Sequence, residues 1–101
     1  MPNIKNVKKL IEYPKEGILS KVISSVDNVE VTLFSMAAGT DMSEHTSAKT
    51  GIIYVIEGKG VFNLKGEDII MEPGVMISMP KNAVHSLKAE INTTFLLILS
   101  S

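Results

Sequence analysis

The sequence predicts an all-β fold, a sandwich or barrel of roughly nine short strands. Val, Ile, Thr and Phe gather in short segments, and Gly, Pro, Asn and Asp separate those segments at intervals of about 8–12 residues. Helix has one place to form, near the start of the chain.

Taken in order, residues 18–25 form the first strand and Asp27-Asn28 turn the chain into residues 29–36. Ala37-Ala38-Gly39 turns again into a short stretch at 42–46, followed by residues 51–57. Gly58-Lys59-Gly60 is expected to close a tight hairpin, since glycine accepts positive φ without a steric cost. Residues 61–64, a turn at 65–68, residues 69–71, and a turn at Glu72-Pro73-Gly74 come next. Residues 75–79, a loop at Pro80-Lys81-Asn82, and residues 84–90 follow, and Asn92 breaks the chain before residues 93–99. Ahead of these strands, residues 6–11 form either a turn or two of helix or an extended arm, stopped at Tyr13-Pro14 because the residue before proline disfavours helical geometry. The expected organisation is one domain over residues 1–101, with an arm at 1–17 and a barrel at 18–101.

Strand parity assigns faces. Over residues 84–90, His85, Leu87 and Ala89 share one side and Ser86, Lys88 and Glu90 the other, which puts His85 on an otherwise apolar, inward face. Residues 52–56 and 95–99 are apolar on both sides, so both sides need cover. A closed barrel buries one side, and a partner chain or the packed arm covers the other. A homodimer is the expected assembly.

Composition excludes several function classes. A net charge of −1, with every basic residue a lysine, gives no electrostatic or arginine-based reason to expect nucleic acid. With no cysteine there is no disulfide framework, thiolate nucleophile or thiolate metal site, which together with the absence of a secretory pattern leads us to expect a cytoplasmic protein. The longest apolar run is the five residues 95–99, against the ~20 needed for a membrane-spanning helix. Imidazole chemistry must use His45, His85 or both, the only two histidines.

Those histidines lie in a pattern: Gly39-x5-His45-x-Ser47-x3-Gly51-x6-Gly58, and sixteen residues later Gly74-x5-Pro80-x-Asn82-x2-His85. The two-part spacing resembles the cupin superfamily, specifically its small single-domain members, over residues 39 to 89. The resemblance implies a double-stranded β-helix, or jelly-roll, barrel, with a divalent transition metal held by two histidines and a glutamate from the first motif and one histidine from the second. His45 matches the first of those histidines and His85 the last. Ser47 stands at the second histidine, Gly51 at the glutamate, Asn82 at a second-motif glycine and Ala89 at an asparagine. Half the ligand set is missing, including its anion, and two imidazoles alone fall short of the three or more protein ligands usual for zinc.

Substitutes are scarce. Glu57 shares the parity of Gly51 but lies about 20 Å along an extended strand. Glu44 and Thr46 have the opposite parity to His45, so Glu44 points away unless a bulge re-aims it. Ser43 and Ser47 near His45 lack the buried carboxylate and oxyanion hole of a hydrolytic triad, and Gly58-x-Gly60 joins strand to strand, not strand to helix as a dinucleotide site requires. Met71, Met76 and Met79 are candidates to line the cavity, as flexible filling or as soft ligands that would favour copper.

Three readings of the imidazoles stay open: hydrogen-bonded core histidines, polar contacts or acid–base groups in a metal-free pocket, and metal ligands completed by water or a bound molecule. The expected function is binding of a small molecule in a barrel pocket lined by His45, His85, Ser47, Gly51 and Tyr54, with His45 and His85 facing each other across it. The loss of the glutamate and a histidine at Gly51 and Ser47 is expected to leave extra room there. The alternative is a metal-dependent oxygenase, isomerase or decarboxylase.

Overall fold

Each predicted segment has at least one apolar face to bury, and in the structure, a computed structural model that describes residues 4–101, all of them pair as strands. They are β1 (Ile18–Val26), β2 (Val29–Met36), β3 (Asp41–His45), β4 (Thr50–Glu57), β5 (Gly60–Leu64), β6 (Glu67–Met71), β7 (Met76–Met79), β8 (His85–Ala89) and β9 (Thr93–Ser100). One sheet has the order β1-β2-β9-β4-β7 and the other β3-β8-β5-β6, with every pairing antiparallel. This is the expected all-β jelly-roll barrel.

The inner faces meet in a core that includes Met36, Ile53, Val55 and Phe95 of the larger sheet and Phe62, Leu87 and Ala89 of the smaller. Phe34 and Phe95, Cα partners on β2 and β9, stack with ring centroids 5.2 Å apart. The Lys65-Gly66 turn joins β5 to β6 with φ of 52° and 86°, positive at both residues as a two-residue hairpin of this hand requires. Glu67 and Asp68 belong to the strand that follows, not to the turn.

Gly58-Lys59-Gly60 does not form the predicted hairpin. β4 pairs with β7 and β9, and β5 pairs with β6 and β8, so this segment carries the chain from one sheet to the other. It crosses the β8–β9 connection closely. Lys59 N donates to Thr93 Oγ1 at 3.1 Å, and a Cβ on Gly58 (φ 105°) would lie 2.5 Å from the carbonyl oxygen of Asn92. Glycine here serves a close backbone approach at a corner.

Residues 6–11 resolve to a single 3-10 turn, Val7–Leu10, flanked by extended residues. The segment from this turn to Tyr13 lies across the outer face of the larger sheet. Lys21 on β1 donates to the carbonyl of Leu10 and pairs with Glu12, holding the Glu12 carboxyl below its usual pKa. Tyr13 Oη donates to Glu57 Oε2 at 2.6 Å and accepts from Thr94 Oγ1 at 2.6 Å. By register Leu33, Ser35 and Thr94 point outward, away from the core, yet Leu33 is only 1% exposed and Ser35 and Thr94 are buried too. The arm thus covers part of this outer face, over Leu33, Ser35 and Thr94, while the outer residues of the two-sided strands, Ile52, Tyr54, Leu96 and Ile98, stay half-buried or exposed. No helix among the described residues is long and apolar enough to cross a membrane.

Candidate functional site

His45 and His85 are brought together by strand pairing. They are Cα partners at the end of the β3–β8 ladder, so they sit side by side on neighbouring strands and not across the barrel, which corrects the expected arrangement. Their ring centroids are 4.1 Å apart with the planes at 63°. His85 is buried, 6% exposed, and lies parallel to the Phe62 ring at 5.7 Å, whereas His45 is exposed at the rim.

Each ring is held by its own strand end. His45 Nδ1 lies 2.8 Å from the carbonyl of Ser43, and His85 Nδ1 lies 2.9 Å from that of Ala83. A carbonyl only accepts, so Nδ1 carries the proton and the neutral ring keeps its lone pair on Nε2. Neither Nε2 has a hydrogen-bond partner among the described residues. The arrangement can therefore accept two hydrogen bonds, or offer two nitrogen ligands whose orientation is fixed from behind.

Beneath the rings is a cavity of about 50 Å³ lined by Phe34, Met42, Ile53, Phe62, Met79, Leu87, Phe95 and Leu97 as well as both histidines. Its walls are apolar except at the imidazoles. At about 30 Å³ per liquid water, this volume suits one or two waters or a few non-hydrogen atoms.

The other predicted site residues fare differently. Tyr54 is not in the pocket: it lies three residues from Gly51 and hence on the opposite face, exposed beside its partner Met76. Ser47 follows the end of β3, where alternation no longer applies. Its hydroxyl accepts from Lys49 N and its carbonyl from Asn82 N, and it does not line the cavity. Gly51 does face inward, but the expected extra room is filled. A Cβ there would lie 3.0 Å from Met79 Cε and 3.1 Å from Leu99 Cδ2. Met79 lines the cavity as anticipated, whereas Met71 is buried in the core away from it and Met76 is 63% exposed on the outer face.

Met42 escaped the sequence reading. It lies three residues from His45, so simple alternation puts the two on opposite faces. A register shift between Met42 and His45 lets both line the cavity. Glu44 stays outside, in a groove with Asp41 and Asp68 on the outer face of the smaller sheet.

These residues do not fit the divalent metal that the resemblance implies. The corner that would hold its carboxylate is occupied by the terminal methyl of Met79 and by two leucines, Leu97 and Leu99. Among the described residues no group of three or more His, Cys, Asp or Glu side chains is placed to hold an ion.

The family described as Cupin domain matches residues 32–100. No curated protein matches the chain. Among solved structures, a protein from Thermus thermophilus superposes with a TM-score of 0.89 at 20% identity, covering 98% of this chain and 97% of its own. A conserved protein of unknown function from Streptococcus pyogenes gives 0.86 at 19% identity, covering 97% and 86%. A cupin superfamily protein from Desulfitobacterium hafniense gives 0.84 at 24% identity, covering 91% and 84%. At these identities the likeness shows the fold.

Proposed function

The chain belongs to the cupin-domain family, and on that premise we propose that it binds a small molecule at the mouth of its barrel, anchored by His45 and His85. The observation that carries this reading is the imidazole pair above an apolar cavity, each Nδ1 tied to a carbonyl and each Nε2 free. Such a site selects a compact ligand with an apolar body inside and a hydroxyl or N–H group donating to Nε2. Larger ligands would project past the exposed His45. The metal-dependent enzyme alternative is less well supported, because Met79 fills the carboxylate corner.

Short alcohols are suitable probes. Titration with ethanol, 1-propanol and 1-butanol, followed by NMR of the imidazole Cε1 protons, is expected to shift both rings, with affinity rising with chain length until the cavity is full. His45→Ala should remove the shift of His85. Unmoved rings, or a shift indifferent to that substitution, would exclude the ligand-binding reading.

The partner chain we propose is a second copy. Tyr54 and Met76 are exposed side by side on β4 and the edge strand β7, next to half-buried Ile52, Leu96 and Ile98 on the same outer face. A cytoplasmic location belongs to the same reading and is supported by the absence of cysteine.

A further inference from the structure

The arm ahead of β1 shapes the outer face of the larger sheet as well as covering part of it. Val7 stands between two grooves on that face. One, of about 380 Å³, lies between Val7 and Lys8 of the arm and Tyr54, Ile56, Pro73 and Leu96 of the body. The other, of about 230 Å³, lies between Val7 and Ile23, Val26 and Val31 on β1 and β2. Both are lined mainly by apolar side chains. A ridge flanked by apolar grooves is self-complementary, the shape that a twofold contact between identical chains requires. We infer that the arm is part of the surface on which a second copy docks, with Val7 of each chain entering the larger groove of the other, against the partner's Tyr54 and the partner's Leu96. The inference rests on the reading of this face as an interface between copies and adds the arm to it.

A stable dimer buries about 800 Å² on each partner, roughly an eighth of the 6170 Å² surface of this chain. A whole aromatic side chain buries about 150–250 Å², so Tyr54, 42% exposed, adds at most about 100 Å². Met76 sits on a strand of four residues, and Ile52, Leu96 and Ile98 are already half-buried. The strip around Tyr54 therefore falls short by itself, and the arm with its grooves is the apolar surface that adjoins it. The arm is also held ready. Tyr13 bonds to Glu57 and Thr94, and the Leu10 carbonyl accepts from Lys21, so the segment is tied to the body at two places. A segment already fixed loses little freedom when it is docked. Charge agrees as well: among the described residues lining the larger groove Lys8 alone is charged, and Glu72, the residue before Pro73, is exposed.

Magnetisation transfer between chains tests this on the wild-type protein. Protein carrying carbon-13 at its valine methyl groups would be mixed with unlabelled protein until the chains have exchanged. An isotope-filtered NOE measurement is expected to show transfer from the Val7 methyls of one copy to the ring protons of the partner's Tyr54, and none from Val55, which is buried in the core. Val7→Ala removes two methyl groups from each of two symmetric contacts. It should raise the dimer dissociation constant by roughly 10-fold or more, read by analytical ultracentrifugation, with the imidazole resonances unchanged.

Absence of transfer from Val7 would overturn the inference even where Val7→Ala weakens the dimer, because the arm would then act only through its hold on its own chain. Undiminished association of Val7→Ala would overturn it too. In either case, dissociation by the double substitution Tyr54→Lys, Met76→Glu leaves the dimer reading standing. A wild-type chain that sediments as a monomer ends both.

Discussion

Position 51 shows how one residue redirects a site. A glycine on the inner face of β4 leaves a gap that Met79 closes with its terminal methyl. Restoring a side chain tests that account. In Gly51→Ala the new methyl meets Met79 Cε at 3.0 Å and Leu99 Cδ2 at 3.1 Å, both flexible ends that must move, so the expected destabilisation is about 1 kcal/mol. In a Met79→Ala background the same substitution should cost less, because its main obstacle is gone. Denaturant melts of the four proteins measure the coupling, and equal costs in both backgrounds would show that Met79 does not fill that corner. At this scale the sequence was legible where parity held, as at His85 and Gly51. Tyr54 was misassigned against its own parity. Met42 was hidden by a bulge that no local pattern marks.

Among the elements, the arm ahead of β1 gains its importance through Tyr13. Burial, reinforced by the hydrogen bond to Glu57, pushes the Tyr13 hydroxyl up to about 12 from its ordinary 10. The raised value means that folding favours the neutral phenol. Its contribution to stability is complete below about pH 10 and is lost as the pH rises through 10 towards 12. Tyr13→Phe removes the titration together with two hydrogen bonds, so it should be less stable by about 1–2 kcal/mol at neutral pH. The gap from wild type should narrow across that alkaline window. Chemical denaturation of both proteins between pH 7 and 12 would show it, and a gap constant with pH would rule out Tyr13 as the latch. The strands were readable because each carries its own alternation and its own turn residues. The arm's path was not, since it depends on contacts of Tyr13 with residues 44 and 81 positions away.

At the scale of the whole molecule, the outer face of the larger sheet is covered by the arm near Leu33 and left open near Tyr54 and Met76. In the dimer we propose, a second copy would be seated on this open part. Light scattering of the purified chain is expected to give twice the 11.0 kDa chain mass. The double substitution Tyr54→Lys, Met76→Glu should shift it to monomer with the imidazole resonances unchanged. A monomeric wild type would overturn the assembly, and a dimer untouched by the double substitution would place its interface elsewhere.

The sequence by itself determined the nine strands, most of their turns and the family, because strand periodicity, turn chemistry and motif spacing are all local. It also determined that the usual ligand set is incomplete. Only the tertiary structure decided that His45 and His85 are neighbours rather than opposites, that Gly58 turns a corner between sheets, and that Met79 and Met42 share the cavity with the histidines. Those outcomes depend on which strands pair, in what register, and where a bulge shifts it. Such pairings join residues as much as 71 positions apart, as Val29 and Ser100 are, and the packing of the whole barrel selects among them.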